Sequence, residues 1–153
     1  MSFKHQLRFL VLLFFGVLVN AQNKSFFVSP PNYKLISTDL HIHTVFSDGS
    51  VWPDIRVSEA IREGLDLISI TDHLEYQPHK SDIPHPDRNR SFDIANAAAT
   101  EKPLSVIRGA EITRSMPPGH INAIFVKDVN KIINDDYMDA HLAARKQGAF
   151  VFW

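Results

Sequence analysis

Residues 39–50 read DLHIHTVFSDGS, with His41 and His43 two positions apart and Asp48 just before Gly49. On a β-strand, alternate side chains share a face, so His41 and His43 point one way while Leu40 and Ile42 point the other. Two neutral imidazoles converging on one point suit zinc, manganese or iron. Further polar residues sit beside apolar runs. Asp72 and His73 follow LISIT, Glu111 lies inside VIRGAEIT, and His120 precedes INAIFV. A carboxylate such as Glu111 within an apolar strand needs a partner, because burying it alone is costly. Each of the others also has a plain structural reading. Asp48-Gly49 suits an ordinary turn, Asp72 a helix cap with an incidental histidine, and His120 stands at a strand start rather than a strand end. Taken together, His41, His43, Asp48, His73, Glu111 and His120 form a candidate ligand set of four imidazoles and two carboxylates.

The elements that must position them alternate. Strands are predicted at Thr38–Thr44, Leu67–Thr71, Val106–Ile112 and Ile121–Val126, with a further one from Ala149 to Trp153. Helices are predicted at Pro53–Glu63, Phe92–Ala99 and Tyr137–Gln147. The first has Val57, Ala60 and Ile61 on one face, and Gly64 follows it as a stop. In the last, Met138 and Leu142 stand at i, i+4. Consecutive apolar strands separated by helices imply a parallel sheet, open or closed into a barrel, with chemistry at the carboxyl ends of the strands. The turn-rich segment 75–90 carries His79, Lys80, Arg88 and Arg90, which could meet a phosphate at the mouth of the site or simply be solvated. His141, near Arg145 and Lys146, reads as a surface residue.

The chain has 153 residues, 44% of them apolar and 22% charged, the composition of an ordinary globular domain. Its first residues order Lys4 and Arg8, an apolar run from Phe9 to Val19, and Val19-Asn20-Ala21. That is the pattern of a cleaved secretory signal over 1–21, and the run is too short to make a comfortable membrane anchor. An exported protein, periplasmic or secreted, is expected, with 22–36 an extended lead-in and 37–153 the domain. Without residues 1–21 the formal charge is −3, from 14 basic and 17 acidic residues, so bulk electrostatics does not suggest nucleic-acid binding. There are no cysteines, so no disulfide can contribute.

The run of motifs DLHIHTVFSDGS, AIREGLDLISITDH, GAEIT and GHINAIFV resembles, in order and spacing, the PHP (polymerase and histidinol phosphatase) domain family, from about Thr38 to Trp153. The secretory signal makes the chain similar to exported members. The resemblance implies an α/β fold: a distorted barrel of seven β/α units, here partial and ending after about five strands, that holds two or three divalent ions (Mn, Zn or Fe). It also implies roles. His41 and His43 would bind a first metal, Glu111 would bridge the first and second, His120 would bind the second, and Asp48 with His73 a third. Catalysis would turn on Glu111 and on Asp72, the latter orienting its neighbours rather than ligating. The family's later ligands, a histidine soon after the strand starting at Ala149 and an Asp-x-His near the end, do not occur in this sequence. Weak metal affinity and little turnover are therefore expected of the 153 residues alone.

Two or three metals a few Å apart suit hydrolysis of phosphate mono- or diesters by a metal-activated water, with a small phosphorylated substrate and no nucleophilic side chain. The rival enzyme class is an amidohydrolase-like hydrolase of C–N or C–O bonds. It would need a metal-bridging lysine on a middle strand, which no predicted strand supplies. The rival outside enzymology is a truncated, inactive metal-binding domain.

Overall fold

The structure, a computed structural model, describes residues 27–153. The expected signal sequence lies outside these residues. Residues 34–153 form one compact unit. Residues 27–33 belong to a second unit and hold a turn in which the Tyr33 N–H donates to the Pro30 carbonyl.

Five strands form a curled sheet in sequence order: β1 (Thr38–Ile42), β2 (Leu67–Ile70), β3 (Ser105–Ile112), β4 (Ile121–Ile124) and β5 (Phe150–Phe152). Among the described residues three α-helices accompany them, α1 (Pro53–Arg62), α2 (Arg90–Ala98) and α3 (Tyr137–Lys146), with a 3₁₀ turn at Val129–Ile132. Helix α1 starts at a proline, whose missing N–H costs nothing in a first turn. It stops where Gly64 takes φ +75°, a conformation that a residue with a Cβ adopts at a cost. Its Val57 and Ala60 are buried, and with Ile68, Ile70, Ala95, Ala99 and Leu104 they make one apolar core under β2. A second core joins Ala110, Ile112, Ile121 and Ala123 of the sheet to Ile132, Ala140 and Ala144.

Two expectations are corrected. The sheet is not parallel throughout: β1, β2 and β3 run parallel, but β4 is antiparallel to both β3 and β5. The reason is the connection Thr113–His120, eight residues with two prolines and no helix, whereas a parallel return needs a crossover of a dozen residues or more. The i, i+4 pair Met138 and Leu142 does not form the buried face of α3. Both are about half exposed, and the helix packs through Ala140 and Ala144. His141, read as a surface residue, is part-buried, with its Nδ1 enclosed and unpartnered.

Candidate metal centre

The carboxyl end of β1 delivers His41 from the strand and His43 just beyond it. The strand ends at Ile42, two residues before the expected end at Thr44, yet the two Nε2 atoms face each other at 3.0 Å. One nitrogen can donate to the other, or, with both unprotonated, the two can face a common cation. Past the end of β2 the chain stays in register with β3. The Glu111 N–H donates to the Asp72 carbonyl, the Leu74 N–H donates to the Glu111 carbonyl, and His73 bridges directly to Glu111. His120 reaches the same rim because β4 is reversed. Its start lies beside the end of β3, which resolves the oddity of a site residue at a strand start.

All six candidate ligands therefore meet around Glu111. Its Oε1 lies 3.5 Å from His41 Nε2 and 3.4 Å from His120 Nδ1, and its Oε2 lies 2.9 Å from both His43 Nε2 and His73 Nδ1. The side chain is 5% exposed. Although Oε2 is close to two ring nitrogens, no donor is aimed at it, leaving a buried anionic oxygen poised between imidazoles. Asp48 completes the second side, with Oδ1 2.7 Å from His43 Nδ1 and Oδ2 3.6 Å from His73 Nε2. Three trios, His41–His43–Glu111, His43–Asp48–His73 and His73–Glu111–His120, each offer ligand atoms lying within 4.8 Å of one another. Such separations suit ligands about 2.0–2.3 Å from a common ion.

The electrostatics follow from this crowding. Burial works to raise the Glu111 pKa, but the neighbouring His43 and His73 outweigh it and hold the carboxyl well below its usual range. Burial lowers the pKa of His43, and its contacts with Glu111 and Asp48 more than reverse that. For Asp48, burial is likewise overcome by His43, and its pKa falls. The donor set, imidazoles and carboxylates gathered around the buried Glu111 and His73 with His41, Asp48 and His120 open to solvent, fits divalent metal.

Asp72 takes no place in the cluster. Its Oδ1 accepts from the Thr44 N–H (2.6 Å) and the Ser47 hydroxyl (2.7 Å), and its Oδ2 accepts from the Thr44 hydroxyl (2.8 Å). The carboxylate thus pins the turn between His43 and Asp48. Gly49 closes that turn against His43, where a Cβ would stand 2.7 Å from the His43 main-chain carbon. Gly49→Ala is therefore expected to push Asp48 off His43 and to cost about 1–3 kcal/mol in a denaturant melt.

The segment 75–90 folds on itself more than toward a substrate. Arg90 donates to the Pro84 carbonyl and lies over the Phe46 ring, and Arg88 donates to the His85 carbonyl. Two neighbours of the site escape a sequence reading. Thr113 places its hydroxyl 2.6 Å from His73 Nδ1, and Asn122, buried on β4 opposite Glu111, places its Nδ2 3.4 Å from His41 Nδ1. The one available hint for Asn122 is a polar residue inside INAIFV.

A model of the PHP domain matches residues 39–149. Among solved structures, a two-domain protein from Bacteroides vulgatus containing a predicted PHP-like metal-dependent phosphoesterase is 50% identical, with a TM-score of 0.79 over 87% of this chain and 39% of that one. A Bifidobacterium adolescentis protein assigned as a metal-dependent phosphoesterase is 27% identical (TM-score 0.49, 77% of this chain, 34% of that one). An amidohydrolase from Chromobacterium violaceum is 21% identical (TM-score 0.45, 72% and 32%). The last two likenesses are too distant to bear on chemistry. No curated protein sequence matches. The chain thus spans well under half the length of these solved relatives.

Proposed function

The chain belongs to the PHP-domain family, and from that premise we propose that it forms part of an exported, metal-dependent phosphoesterase whose ligand cluster is the one around Glu111. The observation that carries this reading is the single buried carboxylate common to two ligand trios, His41–His43–Glu111 and His73–Glu111–His120. That is the arrangement a carboxylate bridging two cations requires. Bound divalent ions would supply Lewis acidity toward phosphoryl oxygens and activate a water.

The chain's own residues prepare the site. Glu111 holds negative charge between the imidazoles, and its buried position excludes bulk water from that side. Asp48 holds His43 through Nδ1 and leaves its Nε2 toward Glu111, while Thr113 holds His73 through Nδ1 and leaves its Nε2 toward Asp48. Asp72 fixes the turn that carries Asp48. An amidohydrolase-like reading gains nothing here, since none of the described strands carries a lysine.

Calorimetric titration of the chain with Zn²⁺ or Mn²⁺ is expected to show uptake that a chelator reverses. A protein extended to the length of its two-domain relative is expected to hydrolyse an aryl phosphate ester only when loaded. Cleavage of an amide or lactone, with phosphate mono- and diesters untouched, would overturn the proposal. Export rests on the order of residues 4–21, and mass spectrometry is expected to find a mature N-terminus at Gln22. An intact Met1 on a cytosolic protein would refute it.

A further inference from the structure

Asn122 is 5% exposed, and its Oδ1 has no partner, while its Nδ2 makes only a long 3.4 Å contact with His41 Nδ1. Burying an amide oxygen unpaired is costly, so this side chain stands in an unfavourable arrangement beside a candidate ligand. The polarity explains it. An N–H directed at Nδ1 requires a lone pair on that atom and so puts the ring proton on Nε2. Yet Nε2 is the His41 atom that faces His43 and Glu111, and a ligating nitrogen must be unprotonated. Turning the amide by 180° about its last bond exchanges oxygen for nitrogen at nearly the same positions. It brings the unpartnered Oδ1 to His41 Nδ1, which then donates to it, and frees the Nε2 lone pair.

We propose that Asn122 is the positioning residue that selects the metal-binding tautomer of His41, its amide accepting from Nδ1–H when Nε2 coordinates. The β3–β4 register supports the assignment, since Asn122 pairs directly with Glu111. One backbone ladder therefore sets both the carboxylate and the amide that addresses the neighbouring imidazole. Within INAI, Ile121, Ala123 and Ile124 are all buried in the apolar core, so a buried amide here is tolerable only if it has a partner to serve.

The inference rests on the metal-centre reading above, and its test separates the two. Nitrogen-15 NMR of the histidine rings is recorded as Zn²⁺ is added, together with zinc affinity and thermal melts of Asn122→Leu and Asn122→Asp. In the unsubstituted protein, zinc is expected to leave His41 protonated on Nδ1 and coordinated through Nε2. Asn122→Leu is expected to weaken zinc binding about tenfold, and Asn122→Asp, which keeps an acceptor, to restore it. An Asn122→Leu protein that melts normally with unchanged zinc affinity and the same His41 tautomer would overturn the inference, as would coordination through Nδ1 while His43 and His73 still respond. If no histidine signal moves with zinc, the metal-centre reading falls and this inference falls with it.

Discussion

Glu111→Gln is expected to reduce kcat/KM of the extended, metal-loaded protein toward an aryl phosphate by about two to four orders of magnitude, equivalent to about 3–5 kcal/mol of transition-state stabilisation. The amide is nearly isosteric, so the fold has little reason to change. What changes is charge. The carboxylate stands within 3.5 Å of four imidazole nitrogens, and a neutral amide cannot offset two cations placed among them. Its NH₂ would also turn donor hydrogens toward ring nitrogens that must present lone pairs. Zinc affinity of the isolated chain should fall in parallel, which calorimetry can measure without any substrate. A Glu111→Gln protein that retains activity within threefold of the parent would show that Glu111 does not bridge the metals.

Asp72→Ala is expected to act on the fold and on the site through it. The substitution strands the Thr44 N–H, the Thr44 hydroxyl and the Ser47 hydroxyl, and both residues are fully buried. Losing the acceptor of a buried donor costs about 1–3 kcal/mol each, with carboxylate bonds toward the upper end. These losses share one centre and do not simply add, so about 3–5 kcal/mol is expected. That is a large part of the roughly 5–15 kcal/mol that holds a domain folded. The melting temperature should drop by more than about 10 °C, and Asp48 should lose its station beside His43. Asp72→Asn keeps one acceptor oxygen, and its NH₂ can donate to the Thr44 hydroxyl, so a smaller loss of about 1–2 kcal/mol is expected. An alanine variant melting within 2 °C of the parent would show that the Asp72 bonds are dispensable.

Much of the site was legible in the order of residues because metal ligation demands particular side chains at particular spacings. His41 and His43 share a face while extended alternation holds, and it holds just past the end of β1, where their Nε2 atoms meet at 3.0 Å. Glu111 declared itself because an apolar strand does not carry a carboxylate without a partner. The helix boundaries were legible for the same kind of reason. Pro53 can start a helix and Gly64 can end one without help from distant residues.

Other features lay beyond local rules. That Met138 and Leu142 stay half exposed while Ala140 and Ala144 are buried depends on how closely α3 approaches the sheet, and helical spacing alone gives two competing apolar stripes. Asp72 and Asp48 are both acids near strand ends, yet one holds Thr44 and Ser47 and the other touches His43 and His73. Only the path of the turn from Thr44 to Asp48, pressed onto His43 at Gly49, separates their roles.

The sequence by itself determined the residue types of the candidate site, the strand and helix order, and the family, because each is set by the chemistry of single residues and by short periodicities. The tertiary structure decided which strand runs backward, and with it why His120 at the start of β4 meets Glu111 at the end of β3. It also decided that Asn122 faces His41 across 81 positions of chain. Strand direction depends on whether a connection is long enough to cross over, and long-range pairing depends on the packing of the whole sheet, neither of which is encoded at any one residue.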